Sequence, residues 1–328
     1  MKYFKLIYLF IGCALFTIIL HQTDLNEVWQ RVINIGWLGI LIILIIYLFA
    51  FITDVLGWQL AFDQIPLNFR WFYRLFLVRM VGEAFNRVTP LASLGGEPIK
   101  AMLLKTHYDL SYRNTATSLV LSTTIDMMGL VSFLFVGFIL LLMGDSLPLS
   151  FKIIAGLGLG VFSIAIILFF LVQRFKLMTK LSQIIEKYRF ARKLKGILSL
   201  IQETDDHLVN FYTSHHRRFA SAFLMAFLNW PLGALEVYFV MKFLGNPISL
   251  SNAWMIEAIA QLVRNGTFFI PSSIGTQEVS FLVICGYITG NSALGVAVSV
   301  IRRFREIIWI IGGLILGWLF SFKSKQKG

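Results

Sequence analysis

The sequence predicts an all-α polytopic membrane protein built as an inverted repeat, each unit consisting of a span, a broken and re-entrant helical hairpin, and a second span. Three observations lead there. The 328-residue chain is 57% hydrophobic and 14% charged, and several of its apolar runs exceed the roughly 18 residues that argue for a membrane span. Two regions, 71–105 and 250–290, are each long enough for two short helices and are each interrupted at the centre by Pro and Gly. Four landmarks also recur: Asp54, Pro90, Glu97 and Asp126 are separated by 36, 7 and 29 residues, and Glu236, Pro271, Glu278 and Glu306 by 35, 7 and 28. Carboxylates are costly in apolar stretches, and membrane transporters are often assembled from repeats of this kind.

The first apolar run, 4–20, follows Lys2 and Lys5 as a signal peptide would, but His21-Gln22-Thr23 offers no small-residue cleavage site. It reads as an uncleaved first helix. Further spans are predicted at about 35–60, 114–143, 150–172, 219–243 and 292–320. The hairpin breaks read TPLASLGGEP (89–98) and IPSSIGTQEV (270–279). Pro removes a backbone donor and Gly permits turns that other residues resist; such backbone is tolerated at membrane depth only against protein or water. The repeat units therefore run over about 35–143 and 219–320 of one transmembrane domain, 1–328, joined by a basic connector at about 173–218. Within it, 180–201 carries apolar residues at helical spacing and fits either an amphipathic surface helix or a solvated connector. GLGLG (156–160) and Gly313-x-x-x-Gly317 place small residues where helices can approach closely.

Charge assigns the sides. With the N-terminus cytoplasmic, twenty basic residues fall in cytoplasmic segments, Lys100 among them, and only Arg31, Lys152 and Lys242 fall outside. The positive-inside rule then places both termini in the cytoplasm, brings the first hairpin in from that side and the second from the opposite side, and so inverts the two units. If the hairpin arms cross fully, the helix count rises from six to ten.

A net charge of +12 in a membrane protein reflects orientation and contact with anionic lipid rather than nucleic acid. Cys13 and Cys285 lie far apart in apolar segments, and the histidines, mostly in polar loops, show no metal-ligand spacing. There is no phosphate-cradling loop and no nucleophile elbow. No metal, cofactor or enzymatic activity is expected, and because no large polar segment follows Phe320, activity is expected within the membrane part.

Six arginines are placed at membrane depth: Arg79, Arg87, Arg264, Arg302, Arg303 and Arg305. On a helix Arg302, Arg305 and Glu306 share a face, and Arg303 is displaced by about 100°. A guanidinium can hold two phosphate oxygens and stays charged when partly dehydrated, so these six are candidate headgroup ligands. The alternative is that they pair with carboxylates to lock the helices. Glu97 and Glu278 follow their Gly turns, Gly95-Gly96 and Gly275, at the start of the second hairpin arm. There each can cap its helix and pair with a base, or titrate a proton that drives transport. Asp54, Asp126, Glu236 and Glu306 either line one path across the bilayer or serve as structural partners of nearby polar groups.

NRVTPLASLGGEPIKAMLL (86–104), the acid-bearing span around Asp126, FIPSSIGTQEVSF (269–281) and the Arg302–Glu306 cluster resemble the lysylphosphatidylglycerol synthase transmembrane, or flippase-like, family over roughly residues 5–320. The resemblance implies a lipid-handling membrane module and singles out Pro90, Gly95, Gly96, Glu97, Pro271, Gly275, Glu278 and Arg302. Better-known members join the module to a soluble aminoacyl-transferase domain, which is not expected here. Free-standing members are associated with glycolipid, polyprenyl-lipid or hopanoid pathways, and the hopanoid-associated subgroup is one candidate match. The expectation is a bacterial inner-membrane translocase of an anionic or phosphate-bearing lipid, its partners being that lipid and lipid-synthesis enzymes. The alternatives are a non-transporting lipid-binding or scaffold subunit and a lipid-modifying membrane enzyme.

Overall fold

A run of apolar residues with no polar face forms a helix whose sides all meet lipid or protein, and this chain contains several. The computed structural model describes residues 25–62, 64–88, 95–144, 148–175, 179–180, 206, 209–211, 213–267, 270 and 273–325. Its helices, in order, are α1 (Leu25–Asn34), α2 (Gly36–Leu60), α3 (Phe69–Val88), α4 (Gly96–Tyr108), α5 (Tyr112–Met143), α6 (Leu149–Arg174), α7 (His216–Phe243), α8 (Leu250–Gly266), α9 (Thr276–Thr289) and α10 (Ser292–Lys325). Among the described residues all regular structure is helical.

Among the described residues three helices, α2, α5 and α7, are long and apolar enough by length and composition to cross a membrane. α10 has the length, with 34 residues, but carries Arg302, Arg303, Arg305 and Glu306 near its middle. Helix α1 was not among the predicted spans, although Leu25, Val28, Trp29, Val32 and Ile33 recur at helical spacing; it packs against α10. The predicted first span at 4–20, all but the first residue of the connector segment 180–201, Pro90 and Pro271 lie outside the described residues.

The predicted order of span, two short arms and span occurs twice. In the first unit α2 to α5 have 25, 20, 13 and 32 residues; in the second, α7 to α10 have 28, 17, 14 and 34. Packing repeats as well. α2 lies along α7, the arms pair as α3 with α4 and α8 with α9, and each closing span meets the first arm of the other unit, α10 on α3 and α5 on α8.

Local signals repeat at a constant offset. Asn68 Oδ1 accepts from Trp71 N at 2.9 Å before α3, and Ser249 Oγ accepts from Asn252 N at 3.1 Å before α8, 181 positions later. These capping acceptors satisfy amide donors that the first helical turn leaves open. The second arms end on left-handed residues with the same offset, Asp109 (φ 56°) and Gly290 (φ 74°).

Apolar side chains point outward as well as inward. Ile153, Ile154, Leu157, Val161, Ile164, Ile167 and Leu168 of α6 are exposed, as are Phe135 and Ile139 of α5 and Ile307, Ile311 and Ile315 of α10. Exposed apolar area on this scale is a liability in water and the natural surface in a bilayer. The glycine spacings behave largely as predicted. A Cβ on Gly313 would stand 2.4 Å from Met80 O and one on Gly317 3.2 Å from Val81, where α10 meets α3. In the other motif, Gly156 and Gly158 face Phe138 and Leu262 closely, and Gly160 has open space.

Candidate functional site

Charge is gathered inside the helix cluster, and the second unit holds it most tightly. Arg302 on α10 is 3% exposed; its guanidinium pairs with Glu257 of α8, donates to Gly233 O of α7 at 3.2 Å, and places Nε 3.8 Å from Glu236. Arg305, one turn on, pairs with Glu236 and lies 3.9 Å from the Tyr47 ring centroid of α2. Gly233 makes this possible, since a Cβ there would come within 2.8 Å of Glu257 Oε1. Arg303 faces another way, as its position on the helix predicts. Its Nε donates to Glu278 Oε1 at 2.9 Å and its Nη1 to Glu306 Oε2 at 3.0 Å. Glu278 also accepts from Gly275 N at 2.8 Å, across a glycine at φ 83°. This carboxylate therefore caps α9 and pairs with an arginine.

The first unit is arranged differently. Arg79 of α3 meets Asp54 of α2 at 2.5 Å, with Trp58 under the guanidinium. Lys100, only 1% exposed, donates to Glu83 at 2.9 Å and to Glu97 at 2.8 Å. Lys100, counted among the cytoplasmic basic residues in the sequence, is not a solvated base: α4 turns it inward over Gly82, whose missing side chain leaves the space it fills. Glu97 does not cap its own helix. Asn86 Oδ1, from α3, takes the Gly96 N–H at 2.7 Å, and the Asn86 amide donates to Glu97 at 3.3 Å. Gly96 is needed for that approach, since a Cβ would stand 1.9 Å from Gly82 O. Asp126 of α5 sits among Asp54, Arg79, Glu83 and Lys100, and among the described residues no ion pair or hydrogen bond reaches its carboxylate.

Arg87 of α3 pairs with Glu306 of α10 at 3.0 Å, an ion pair that crosses between the units. Beside it lies a cavity of about 490 Å³ with walls from both units. Tyr47, Ala50, Phe51, Asp54, Arg79, Glu83, Arg87 and Glu97 line it from the first unit; Asn229, Trp230, Gly233, Glu236, Glu257, Gln261, Arg264, Arg302 and Arg305 from the second. Arg264 lies close enough to Arg87, Arg303 and Glu306 to feel their charges. Among the described residues it is the membrane-depth arginine with neither ion pair nor hydrogen bond.

The structure thus brings five of the six predicted arginines to one cavity; Arg303 is the sixth, behind it on Glu278 and Glu306. It also brings Asp54, Glu97 and Glu236 to the wall, puts Glu306 in the cross-unit bridge, and leaves Asp126 adjacent. Sequence reasoning missed Glu257, Gln261, Tyr47 and Lys100 as members of this network. A signal existed for two of them: Glu257, Gln261 and Arg264 are four and three residues apart, which sets them on one helical face. Glu257 and Gln261 are bonded to each other at 2.8 Å.

Outward-facing apolar surfaces around a buried network of ion pairs and a polar cavity define a multi-pass membrane protein with a charged interior. Residues 5–314 match the family described as the lysylphosphatidylglycerol synthase TM region, and the chain belongs to that family. It is similar to the UPF0104 membrane protein PH1989 of Pyrococcus horikoshii, 22% identical over 345 aligned residues that cover 98% of each chain. No solved structure matches.

Proposed function

We propose that the protein is a lipid translocase that moves an anionic, phosphate-bearing lipid between the leaflets of the cell membrane. The observation that carries this reading is the cavity of about 490 Å³ shared by both units, lined by charged residues from each unit and also by Ile46, Ala50, Phe51, Met127 and Leu232. A headgroup has charged partners there, while acyl chains remain in lipid. Membership of a lipid-related membrane family agrees with it.

The units act as inverted halves. The positive-inside distribution of the sequence supports that orientation; of the four arms, α4, α8 and α9, with 13, 17 and 14 residues, fall short of the roughly 20 that a full crossing needs, and α3, with 20, reaches it. Where the second arms begin, the amides of Gly96 and Gly275 are taken by Asn86 and Glu278, as a helix start buried in protein requires. Rocking of one unit against the other, with the Arg87–Glu306 bridge breaking and re-forming, opens the cavity to each leaflet in turn. The lipid leaves chemically unchanged.

A second reading, a lipid-binding subunit that does not translocate, draws on the density of buried ion pairs, which resist rearrangement. Leaflet exchange separates the two. The full chain is reconstituted in vesicles with fluorescent phosphatidylglycerol, and a membrane-impermeant quencher reports the outer leaflet. Exchange faster than in protein-free vesicles is expected, slowed by Ala50→Trp in a variant that elutes as the parent does. Retained lipid without exchange supports the binding subunit, and a chemically altered lipid supports an enzyme. Cysteine labelling at Ser93 and Ser273 tests the inversion: modification from opposite faces is expected, and same-face labelling removes it.

A further inference from the structure

Helix α1 takes no part in the cavity, and its ten residues are too few to cross a bilayer: they span about 15 Å, half the thickness of an apolar core. The helix is sharply two-sided. At the α-helical rotation the positions of Leu25, Val28, Trp29, Val32 and Ile33 fall within an arc of about 140°, and Asn26, Glu27, Gln30, Arg31 and Asn34 occupy the rest. The protein uses only one edge of the apolar arc. Val32 packs against the core cluster that includes Met241 and Leu244, whereas Trp29 and Ile33, further round, are 64% and 58% exposed. Gln30 and Asn34 are exposed as well, so an apolar and a polar surface run side by side along one helix. That is the surface of a helix lying between two media.

The place of α1 in the fold identifies the media. Gly36, at φ 64°, separates α1 from α2, a left-handed turn that lets the chain change direction instead of extending the span. The junction lies level with the end of α7, since a Cβ on Gly39 would stand 3.3 Å from the ring of Phe243, the last residue of that helix. Where one crossing helix begins beside the end of another, the bilayer has its surface. The exposed apolar face is also continuous with one that meets acyl chains: Trp37, 74% exposed, stands in the first turn of α2, and Leu38, Leu41 and Ile45 carry the same exposed face onward along that span. Tryptophan is enriched at the headgroup level, where its ring meets apolar and polar surroundings together. The polar arc holds one acid, Glu27, and one base, Arg31, and so brings no net charge toward anionic headgroups.

We propose that α1 is an interfacial helix docked on the bilayer surface, with Trp29, Ile33 and Trp37 in the boundary between headgroups and acyl chains, and that apolar burial holds it there independently of headgroup charge. Its partner is therefore the lipid surface itself, zwitterionic or anionic alike. The docking needs only that α2 and α7 cross the bilayer, and it stands whether or not the cavity translocates a lipid.

Fluorescence quenching in lipid nanodiscs, whose two faces are both open to solvent, tests this on the full chain. Trp29→Cys, Gln30→Cys, Ile33→Cys and Asn34→Cys are made singly with Cys13→Ser, Cys285 being buried, and each is labelled with an environment-sensitive fluorophore. Labels at 29 and 33 should be quenched at least about threefold more strongly by lipid spin-labelled near the headgroup than by aqueous iodide, and labels at 30 and 34 should show the reverse order. The pattern should be the same in phosphatidylcholine as in an equal mixture with phosphatidylglycerol, and the same between about 0.05 and 0.5 M salt, over which an electrostatic dock weakens. Hydroxyl-radical footprinting of the unsubstituted protein in the same nanodiscs needs no variant: Trp29 and Trp37 should be oxidised about tenfold more slowly than free tryptophan added as a standard.

Iodide quenching as strong at 29 and 33 as at 30 and 34, or oxidation of Trp29 and Trp37 at the rate of the standard, puts the helix in water and overturns the proposal. Labels at 29 and 33 shielded from both quenchers show that protein covers the face, either another segment of the chain or a second copy, and overturn it equally. Quenching by lipid spin-labelled at the end of the acyl chain that exceeds quenching near the headgroup makes α1 part of a span. A pattern seen only with phosphatidylglycerol, or lost at high salt, replaces the apolar dock by an electrostatic one. Absence of lipid exchange by the parent leaves the docking as it is.

Discussion

The two halves of the molecule share an order of helices but use charge differently. In the second unit the carboxylates of Glu236, Glu257 and Glu278 are each 2% exposed, and arginines from α10 engage all three. In the first, Glu83 and Glu97 share a single lysine and are each 31% exposed, and Asp54 is 18% exposed. Buried charge in the first case is consumed by the protein itself and ties α7, α8, α9 and α10 into one body. In the second it is left on a wall with room beside it. The same residue types therefore do separate jobs, and an arginine at membrane depth is informative about a ligand only after its carboxylate partners have been subtracted.

Breaking the second unit's network should have the largest effect. Glu257→Ala strands Arg302 in the interior, and removing one partner of a buried pair costs about 3–5 kcal/mol. Thermal unfolding in detergent should show a strongly lowered midpoint or loss of the monodisperse protein. A Glu257→Gln, Arg302→Met double variant, which removes both charges, should be far closer to the parent.

Next in size is Gly96→Ala. Its Cβ would enter the space of Gly82 O, and forcing the α3–α4 contact apart should cost about 1–3 kcal/mol, as overpacking generally does. The same unfolding measurement reads it. A change in the first unit should act on both ligand and fold. Glu83→Gln removes one carboxylate from the cavity and should raise phosphatidylglycerol affinity by about two- to tenfold through longer-range attraction, seen in lipid titrations, and it should lower the midpoint because buried Lys100 is left with Glu97 as its carboxylate partner. Smallest is Lys152→Ala. Lys152 Nζ donates to Gly144 O at 2.6 Å at the end of α5, and a cation at a helix C-terminus is worth about 0.3–1 kcal/mol.

Much of the fold was legible because apolar length and Pro/Gly breaks are local signals. The spans predicted from 35, 114, 150, 219 and 292 begin at 36, 112, 149, 216 and 292, and the arms flank the two predicted breaks. The capping recurrence was also present in the sequence, with Asn68 and Ser249 as acceptors and Asp109 and Gly290 as stops, yet it carries little weight until the turns are seen. The site was legible as a set of charged positions but not as a set of partners. Lys100 reads as a loop base because it follows Pro98 and precedes Lys105, and only Gly82 on another helix shows why it can turn inward. The sequence singles out Arg302 by its cluster but does not show that Arg302 is paired and Arg264 is not. What separates them is Glu257, which lies 45 residues from Arg302 in the chain and in contact with it in space.

The most direct measurement is the thermal midpoint of the parent and of Arg264→Gln, with and without phosphatidylglycerol. A ligand that binds only the folded protein raises the midpoint, by more the further its concentration exceeds its dissociation constant. We expect the two proteins to unfold at the same temperature without lipid, and only the parent to be stabilised when phosphatidylglycerol is added. A variant stabilised as much as the parent, or one already unfolding early without lipid, would contradict the division between locking arginines and the one that meets the ligand.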